Sequence, residues 1–85
     1  MTIEDRIREK VQKRYGCESY KLKNDSARHS GHAGDDGSGQ THFSLEITSN
    51  EFIGMSKVNA QRQVYALLSQ EFKDGLHALS LKINV

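Results

Sequence analysis

The residues of this chain best suited to chemistry are its histidines. Three of the four, His29, His32 and His42, fall within a stretch of 14 residues, and the fourth is His77. Four of the seven glycines lie in the same stretch. Neutral imidazoles bind transition metals, and a long glycine-rich segment in a small domain is usually either functional or disordered. The pattern therefore predicts a flexible loop at about residues 25–41, which is either disordered or able to wrap a metal or reach a partner.

A closed zinc site is a weak explanation for this loop. Structural zinc sites have four protein ligands and commonly include cysteines, whereas His29 and His32 lie in a stretch without cysteine. The only cysteine, Cys17, lies at the predicted junction of a helix and a strand, where we expect a packed, small apolar side chain. His42 begins a predicted strand and points away from Phe43. We therefore expect it to be a surface histidine and not a ligand.

The composition is typical of a small globular domain with balanced charge. Twelve Lys and Arg residues against eleven Asp and Glu give a net charge of +1, whereas dedicated nucleic-acid-binding domains are usually strongly basic. No apolar run is long enough to span a membrane, the charged N-terminus does not resemble a secretory signal, and a single cysteine suits a reducing compartment. No catalytic set or phosphate-binding motif is present, so we do not expect an enzyme. We expect one domain over residues 1–85 in the cytoplasm, or in an organelle if a targeting segment has been removed.

The first half of the chain predicts a helix followed by two strands. Residues 2–15 place apolar side chains four apart, with Thr2 available as an N-terminal cap and acidic residues in the first turn. Residues 18–23 and 42–48 alternate between apolar and polar side chains, which is typical of half-buried strands. These two strands should pair antiparallel across the glycine-rich loop.

The second half predicts a helix and a last strand. Residues 57–73 contain no proline, and their apolar face consists of Val58, Val64, Tyr65, Leu68 and Phe72. Residues 76–85 alternate again, with His77 on the same side as Leu79. A helix that connects two strands predicts parallel pairing with a right-handed crossover. The expected fold is α+β, in the order α-β-β-α-β, with a three-stranded mixed sheet covered by helices on one face.

Four segments of this chain resemble the BolA family in their order and spacing. They are Thr41-His42-Phe43, Phe52-Ile53-Gly54-Met55-Ser56-Lys57-Val58, Arg62-Gln63-Val64-Tyr65-Ala66-Leu67-Leu68 and Leu76-His77-Ala78-Leu79-Ser80-Leu81. A loop that contains glycine and histidine precedes the first of them, as in that family. The resemblance covers nearly the whole chain and implies a class II KH-like fold with the same order of elements.

The resemblance also implies an adaptor that binds a monothiol glutaredoxin and co-ligates a [2Fe-2S] cluster for iron-sulfur cluster trafficking or iron regulation. In such a complex, the glutaredoxin cysteine and glutathione supply two ligands. The BolA-like protein supplies a histidine at the start of its last strand and a histidine or cysteine from the loop. Carried onto this chain, these are His77 and His32, with His29 as the alternative loop ligand. From the residues alone, His77 is a half-buried, hydrogen-bonded histidine at a strand end, and no cluster is expected in the isolated protein.

A nucleic-acid-binding transcriptional regulator is the alternative function that the resemblance implies. Lys57 and Arg62 in the second helix are then the candidates for contacting DNA. Family members often carry Arg-His-Arg where this chain has Ala60-Gln61-Arg62, and the cations of the predicted helix are spread over 17 residues. Both observations weaken this interpretation. A third interpretation is a module that binds glutaredoxin through its C-terminal strand and second helix without a cluster.

Overall fold

The computed structural model describes residues 2–16, 18–26 and 40–85, and it has the predicted α-β-β-α-β order except that two consecutive helices replace the predicted second helix. The elements are α1 (Ile3–Tyr15), β1 (Tyr20–Asn24), β2 (His42–Thr48), a 3-10 turn (Asn50–Phe52), α2 (Lys57–Leu67), α3 (Ser69–Lys73) and β3 (Ala78–Asn84). The predicted α+β class is therefore confirmed. None of the helices described is long and apolar enough to cross a membrane.

Helix α1 begins and ends where its sequence signals predict. Thr2 and Asp5 form a capping box, in which each side chain binds the backbone N–H of the other; this satisfies two donors that have no partner inside the helix. Gly16 ends the helix with φ of 102°, a value that favours glycine because other residues are strained there. The buried residues are Ile3, Ile7 and Val11, so the predicted apolar stripe faces the core.

The sheet has the order β1-β2-β3, with β1 and β2 antiparallel and β2 and β3 parallel. This is the pairing that the sequence predicts. The central strand β2 buries Phe43, Leu45 and Ile47 in the core, while Ser44 and Glu46 alternate with them on the other face. The strand boundaries differ from the predicted ones by one or two residues, because β1 begins at Tyr20 and β3 begins at Ala78.

The predicted single helix over residues 57–73 is wrong in one respect, because the chain leaves the helical path at Leu68. The φ and ψ angles of this residue are −101° and 15°, and its N–H is shared between the carbonyl oxygens of Val64 and Tyr65. No glycine or proline marks the break in the sequence. Its physical reason is tertiary: Leu68 is fully buried, and α3 turns Glu71 toward α1, where two cations bind it.

The predicted apolar face of the second helix also needs correction. Val58 is 55% exposed and Tyr65 is 39% exposed, whereas Ala60 is only 2% exposed. The buried stripe is Ala60, Val64 and Leu68, spaced by four. Val58 lies two residues before Ala60, and therefore on nearly the opposite side of the helix. The Tyr65 hydroxyl reaches the last strand, where it donates to the carbonyl of Leu79 over 3.4 Å.

Candidate functional site

His77 lies immediately before β3 and is exposed, not half-buried as its position at a strand end suggests from the sequence. Its backbone N–H donates to the carbonyl oxygen of Thr41 over 2.8 Å. The N–H of Ala78 donates to the same oxygen over 3.1 Å. Thr41 is the residue that enters β2, so these bonds join His77 to the point where the segment between β1 and β2 ends.

The two ends of that segment are held together by Ser26. The Ser26 hydroxyl oxygen accepts from the N–H of Thr41 over 3.0 Å and from the N–H of His42 over 3.1 Å. The N–H of Asp25 donates to the carbonyl oxygen of His42 over 2.8 Å, and the Ser44 hydroxyl binds the Asp25 carboxylate. Asp25, Ser26, Thr41 and His42 are all buried. The loop therefore starts and ends at one hydrogen-bonded root, and His77 is bonded to that root.

The loop histidines, His29 and His32, lie outside the described residues, as does Cys17. Their assigned roles therefore stay predictions. The root nevertheless limits where the two histidines can go. His29 is three residues from Ser26, and His32 is six, so extended chain carries them at most roughly 10 Å and 20 Å from it.

His42 corrects a prediction, because it is not a surface residue. It is 7% exposed, and its Nδ1 lies 2.8 Å from the hydroxyl oxygen of Thr41. Its ring centroid is 5.3 Å from that of His77, with the rings tilted by 50°. Strand alternation does turn His42 away from the core, as predicted. That end of the sheet is covered, however, by the loop root and by the ring of His77.

The described residues do not form a closed metal site. Residues 2–16, 18–26 and 40–85 contain no group of three or more His, Cys, Asp or Glu side chains that could hold a metal ion. The described part of the site instead consists of one exposed imidazole, His77, with a second imidazole, His42, packed against it.

The turn that leads into His77 is fixed by ion pairs that the sequence prediction did not include. The Glu71 carboxylate is 0% exposed; Lys10 Nζ lies 2.7 Å from one of its oxygens and Arg6 lies 2.8 Å from the other. The backbone carbonyl of Glu71 accepts from the N–H of Leu76 over 2.9 Å. Arg6 also binds Asp74 over 2.7 Å, and this hydrogen bond lowers the pKa of Asp74. The sequence did contain one signal for the burial of Glu71, because this residue continues the helical spacing of the buried residues Val64 and Leu68.

The two candidate DNA-contacting residues, Lys57 and Arg62, are both exposed on α2. They are five residues apart, so their side chains point about 140° apart around the helix axis. A helix that reads nucleic acid usually gathers its cations on one face. The structure thus leaves both residues accessible without arranging them as a single basic stripe.

The three-stranded mixed sheet, the helices on one of its faces and the exposed histidine before the last strand define a small α+β domain of the class II KH-like type. Residues 11–85 match the family model for BolA-like protein. The chain therefore belongs to the BolA family.

Known relatives agree with this assignment. SufE-like protein 1, chloroplastic/mitochondrial, from Arabidopsis thaliana is 45% identical over 82 residues, which are 89% of this chain and 22% of that protein. The UV-induced protein uvi31 of Schizosaccharomyces pombe is 44% identical over 84 residues, covering 95% of this chain and 82% of uvi31. The solved structure of BolA1 from Arabidopsis thaliana superposes with a TM-score of 0.81 at 41% identity, covering 94% of this chain and 87% of that one. This chain thus spans about a fifth of one of these relatives and most of another.

Proposed function

We propose that this chain is a non-enzymatic adaptor that binds a monothiol glutaredoxin and co-ligates a [2Fe-2S] cluster. Its own ligands are His77 and one loop histidine, with His32 preferred and His29 as the alternative. The observation that carries the proposal is the hydrogen bond from the N–H of His77 to Thr41. It attaches an exposed imidazole to the root of the loop that bears the other histidines.

The chemistry of the donors supports this role. The glutaredoxin cysteine and the glutathione thiol supply two thiolates, so two imidazoles from this chain complete the four ligands that a [2Fe-2S] cluster requires. Replacement of thiolates by neutral imidazoles makes the cluster less negatively charged and raises its reduction potential, as in Rieske centres. Imidazole is also a ligand that protons displace. Such a cluster suits a protein that passes its cargo on.

The test is a reconstitution with a monothiol glutaredoxin, glutathione, ferrous iron and sulfide, followed by visible circular dichroism. The wild-type chain should produce a heterodimer whose spectrum differs from that of the glutaredoxin homodimer. His77→Ala should abolish the difference, whereas Ser80→Ala, a change of an exposed residue on β3, the strand that follows His77, should preserve it. His32→Ala and His29→Ala form a matched pair that identifies the loop ligand. A heterodimer spectrum that survives all three histidine substitutions would contradict the ligand assignment.

The alternative function is a transcriptional regulator that binds DNA through Lys57 and Arg62. The exposure of both side chains supports it, while their angular separation and the net charge of +1 count against it. Binding to duplex DNA should then weaken steeply with salt, and Arg62→Ala should lower the salt dependence by about one phosphate contact. Failure to bind duplex DNA at low salt would remove this alternative.

A third candidate is an interaction module that binds glutaredoxin without a cluster. It predicts that the heterodimer forms with equal affinity in the absence of iron and sulfide, which titration calorimetry measures.

The cytoplasmic location expected from the sequence stays a prediction, and imaging of the tagged full-length protein tests it.

A further inference from the structure

We propose that Thr41 and His42 form a clamp that holds the His77 imidazole in one orientation before any partner binds. The proposal rests on the proposed function insofar as His77 is a cluster ligand. Thr41 and His42 act as positioning residues, because they contact His77 through its backbone N–H and its ring. Together, these two residues are called the Thr41–His42 clamp.

The first arm of the clamp acts on the backbone of His77. The Thr41 carbonyl oxygen accepts hydrogen bonds from the N–H groups of His77 and Ala78, over 2.8 Å and 3.1 Å. His42 and Ala78 are also partners in the parallel ladder of β2 and β3. Thr41 is 1% exposed, so water does not compete for its carbonyl. These bonds place the Cα of His77 but leave its side-chain torsions free.

The second arm acts on the ring. The Thr41 hydroxyl lies 2.8 Å from Nδ1 of His42, and the buried ring of His42 lies against the exposed ring of His77 at 5.3 Å between centroids. An exposed histidine normally samples several staggered rotamers. A fixed aromatic ring on one side favours the rotamer that keeps the two rings in tilted contact, which is a preferred geometry for aromatic pairs. The hydroxyl of Thr41 therefore orients His77 indirectly, because it fixes the ring of His42 that lies against His77.

Orientation of a ligand before binding has a measurable consequence. Residues that orient metal-binding histidines typically contribute ten- to a hundredfold to metal affinity, on the order found when such residues are mutated. Without the clamp, His77 would have to lose its rotamer freedom when the cluster arrives. We therefore expect clamp variants to form the same complex but to hold the cluster less well.

The first experiment uses the chain alone and needs no cluster. NMR three-bond couplings to Cγ of His77 should show a single χ1 rotamer in the wild type and in Thr41→Ser, which keeps the hydroxyl. Thr41→Val replaces only the hydroxyl, with a methyl group, and should give averaged couplings, as should His42→Ala. Thr48→Val makes the same change at the far end of β2 and should have no effect. Dispersed amide spectra verify that each variant is folded. If Thr41→Val does not fold, His42→Ala alone provides the test.

Averaged couplings in the wild type, or wild-type couplings in folded Thr41→Val and His42→Ala, would overturn the clamp. The second experiment follows the loss of the visible circular dichroism of the reconstituted heterodimer to an iron chelator. Thr41→Val should lose the signal roughly ten- to a hundredfold faster than the wild type, and Thr41→Ser should restore slow loss. An equal rate of loss in Thr41→Val would also overturn the clamp.

The two proposals fail in different ways. If the wild-type chain gives no heterodimer spectrum, the proposed function fails, while the couplings of His77 still decide whether the clamp exists. If the spectrum forms and depends on His77 but not on the Thr41 hydroxyl, the proposed function stands and the clamp fails.

Discussion

Glu71 provides the sharpest test of how this fold is held together. Its carboxylate is 0% exposed on α3, and its partners Lys10 and Arg6 on α1 are 36% and 27% exposed. The substitution Glu71→Gln keeps the shape of the side chain and removes its charge. It leaves two cations that can turn back to water, so the cost is smaller than that of leaving a buried charge without a partner, which is about 3–5 kcal/mol.

The magnitude follows from the contacts. The Glu71 carboxylate accepts a hydrogen bond from Lys10 and is ion-paired with Arg6. A hydrogen bond to a charged group contributes about 1.5–3 kcal/mol, and removal of the negative charge weakens both contacts. We therefore expect Glu71→Gln to lower the free energy of unfolding by about 2–3 kcal/mol. For a chain of 85 residues, whose total stability is roughly 4–13 kcal/mol, this is a large fraction. At about 4–8 °C per kcal/mol in a domain of this size, the Tm should fall by roughly 10–20 °C.

The assay is equilibrium unfolding in urea, with circular dichroism as the signal. Glu9→Gln is the matched control, because Glu9 makes a surface pair with Lys13 one turn away and such pairs contribute about 0.3–0.5 kcal/mol. Lys10→Met should also be destabilising, because it leaves the carboxylate with one cation. If Glu71→Gln changes stability no more than Glu9→Gln does, the inference that a buried charge network joins α1 to α3 is wrong.

Three further outcomes are expected. The pKa values of Glu51 and Asp74 lie below their ordinary values of 4.5 and 3.8, chiefly because each accepts hydrogen bonds from an arginine on α1. A lowered carboxylate pKa gives stability that is present above the ordinary pKa and is lost as the pH falls through the folded one. The Tm should therefore drop as the pH falls below these values, and the double variant Glu51→Gln with Asp74→Asn should show a smaller drop. If the Tm of the double variant falls with pH as steeply as that of the wild type, the assigned pKa shifts are wrong. Ser26→Ala should leave the backbone N–H groups of Thr41 and His42 without their acceptor, at a cost of about 1–3 kcal/mol. Hydrogen exchange of these two amides should become faster. Unchanged exchange rates would show that Ser26 does not hold the ends of the loop together. Val64→Ala should cost about 2 kcal/mol in urea unfolding because the side chain is buried, whereas Val58→Ala should be nearly neutral, and equal effects would contradict the corrected helix face.

Most of the fold could be predicted because its signals are local. The Thr2 cap, the four-residue spacing in α1 and the alternation over residues 42–48 each act within a few neighbouring residues. Loop and helix connections then limited the pairing to one antiparallel and one parallel ladder, as observed. The sequence prediction missed the helix break at Leu68, and it placed Val58, which is exposed, on the apolar face. A break without glycine or proline has no local signal, and the buried face of a helix depends on how it is rotated against the sheet.

The candidate site was only partly predictable. His77 came from the resemblance to the BolA family, and its role as a ligand stays a prediction. His42 was expected to be at the surface because strand alternation turns it away from the core. Alternation indicates which face a side chain occupies, but it does not indicate what covers that face. Here part of the cover is the ring of His77, which lies far from His42 in the chain.

The sequence by itself determined the order of helices and strands, the parallel and antiparallel pairing and the family. Caps, turns and hydrophobic periodicity act over short distances along the chain, so they can be recognised without knowing the fold. Only the tertiary structure decided that Glu71 is buried between two cations and that the ring of His42 rests against His77. These contacts join residues far apart in the chain, such as Lys10 and Glu71, which are 61 positions apart. Their energies depend on burial and distance, which exist only once the chain has folded.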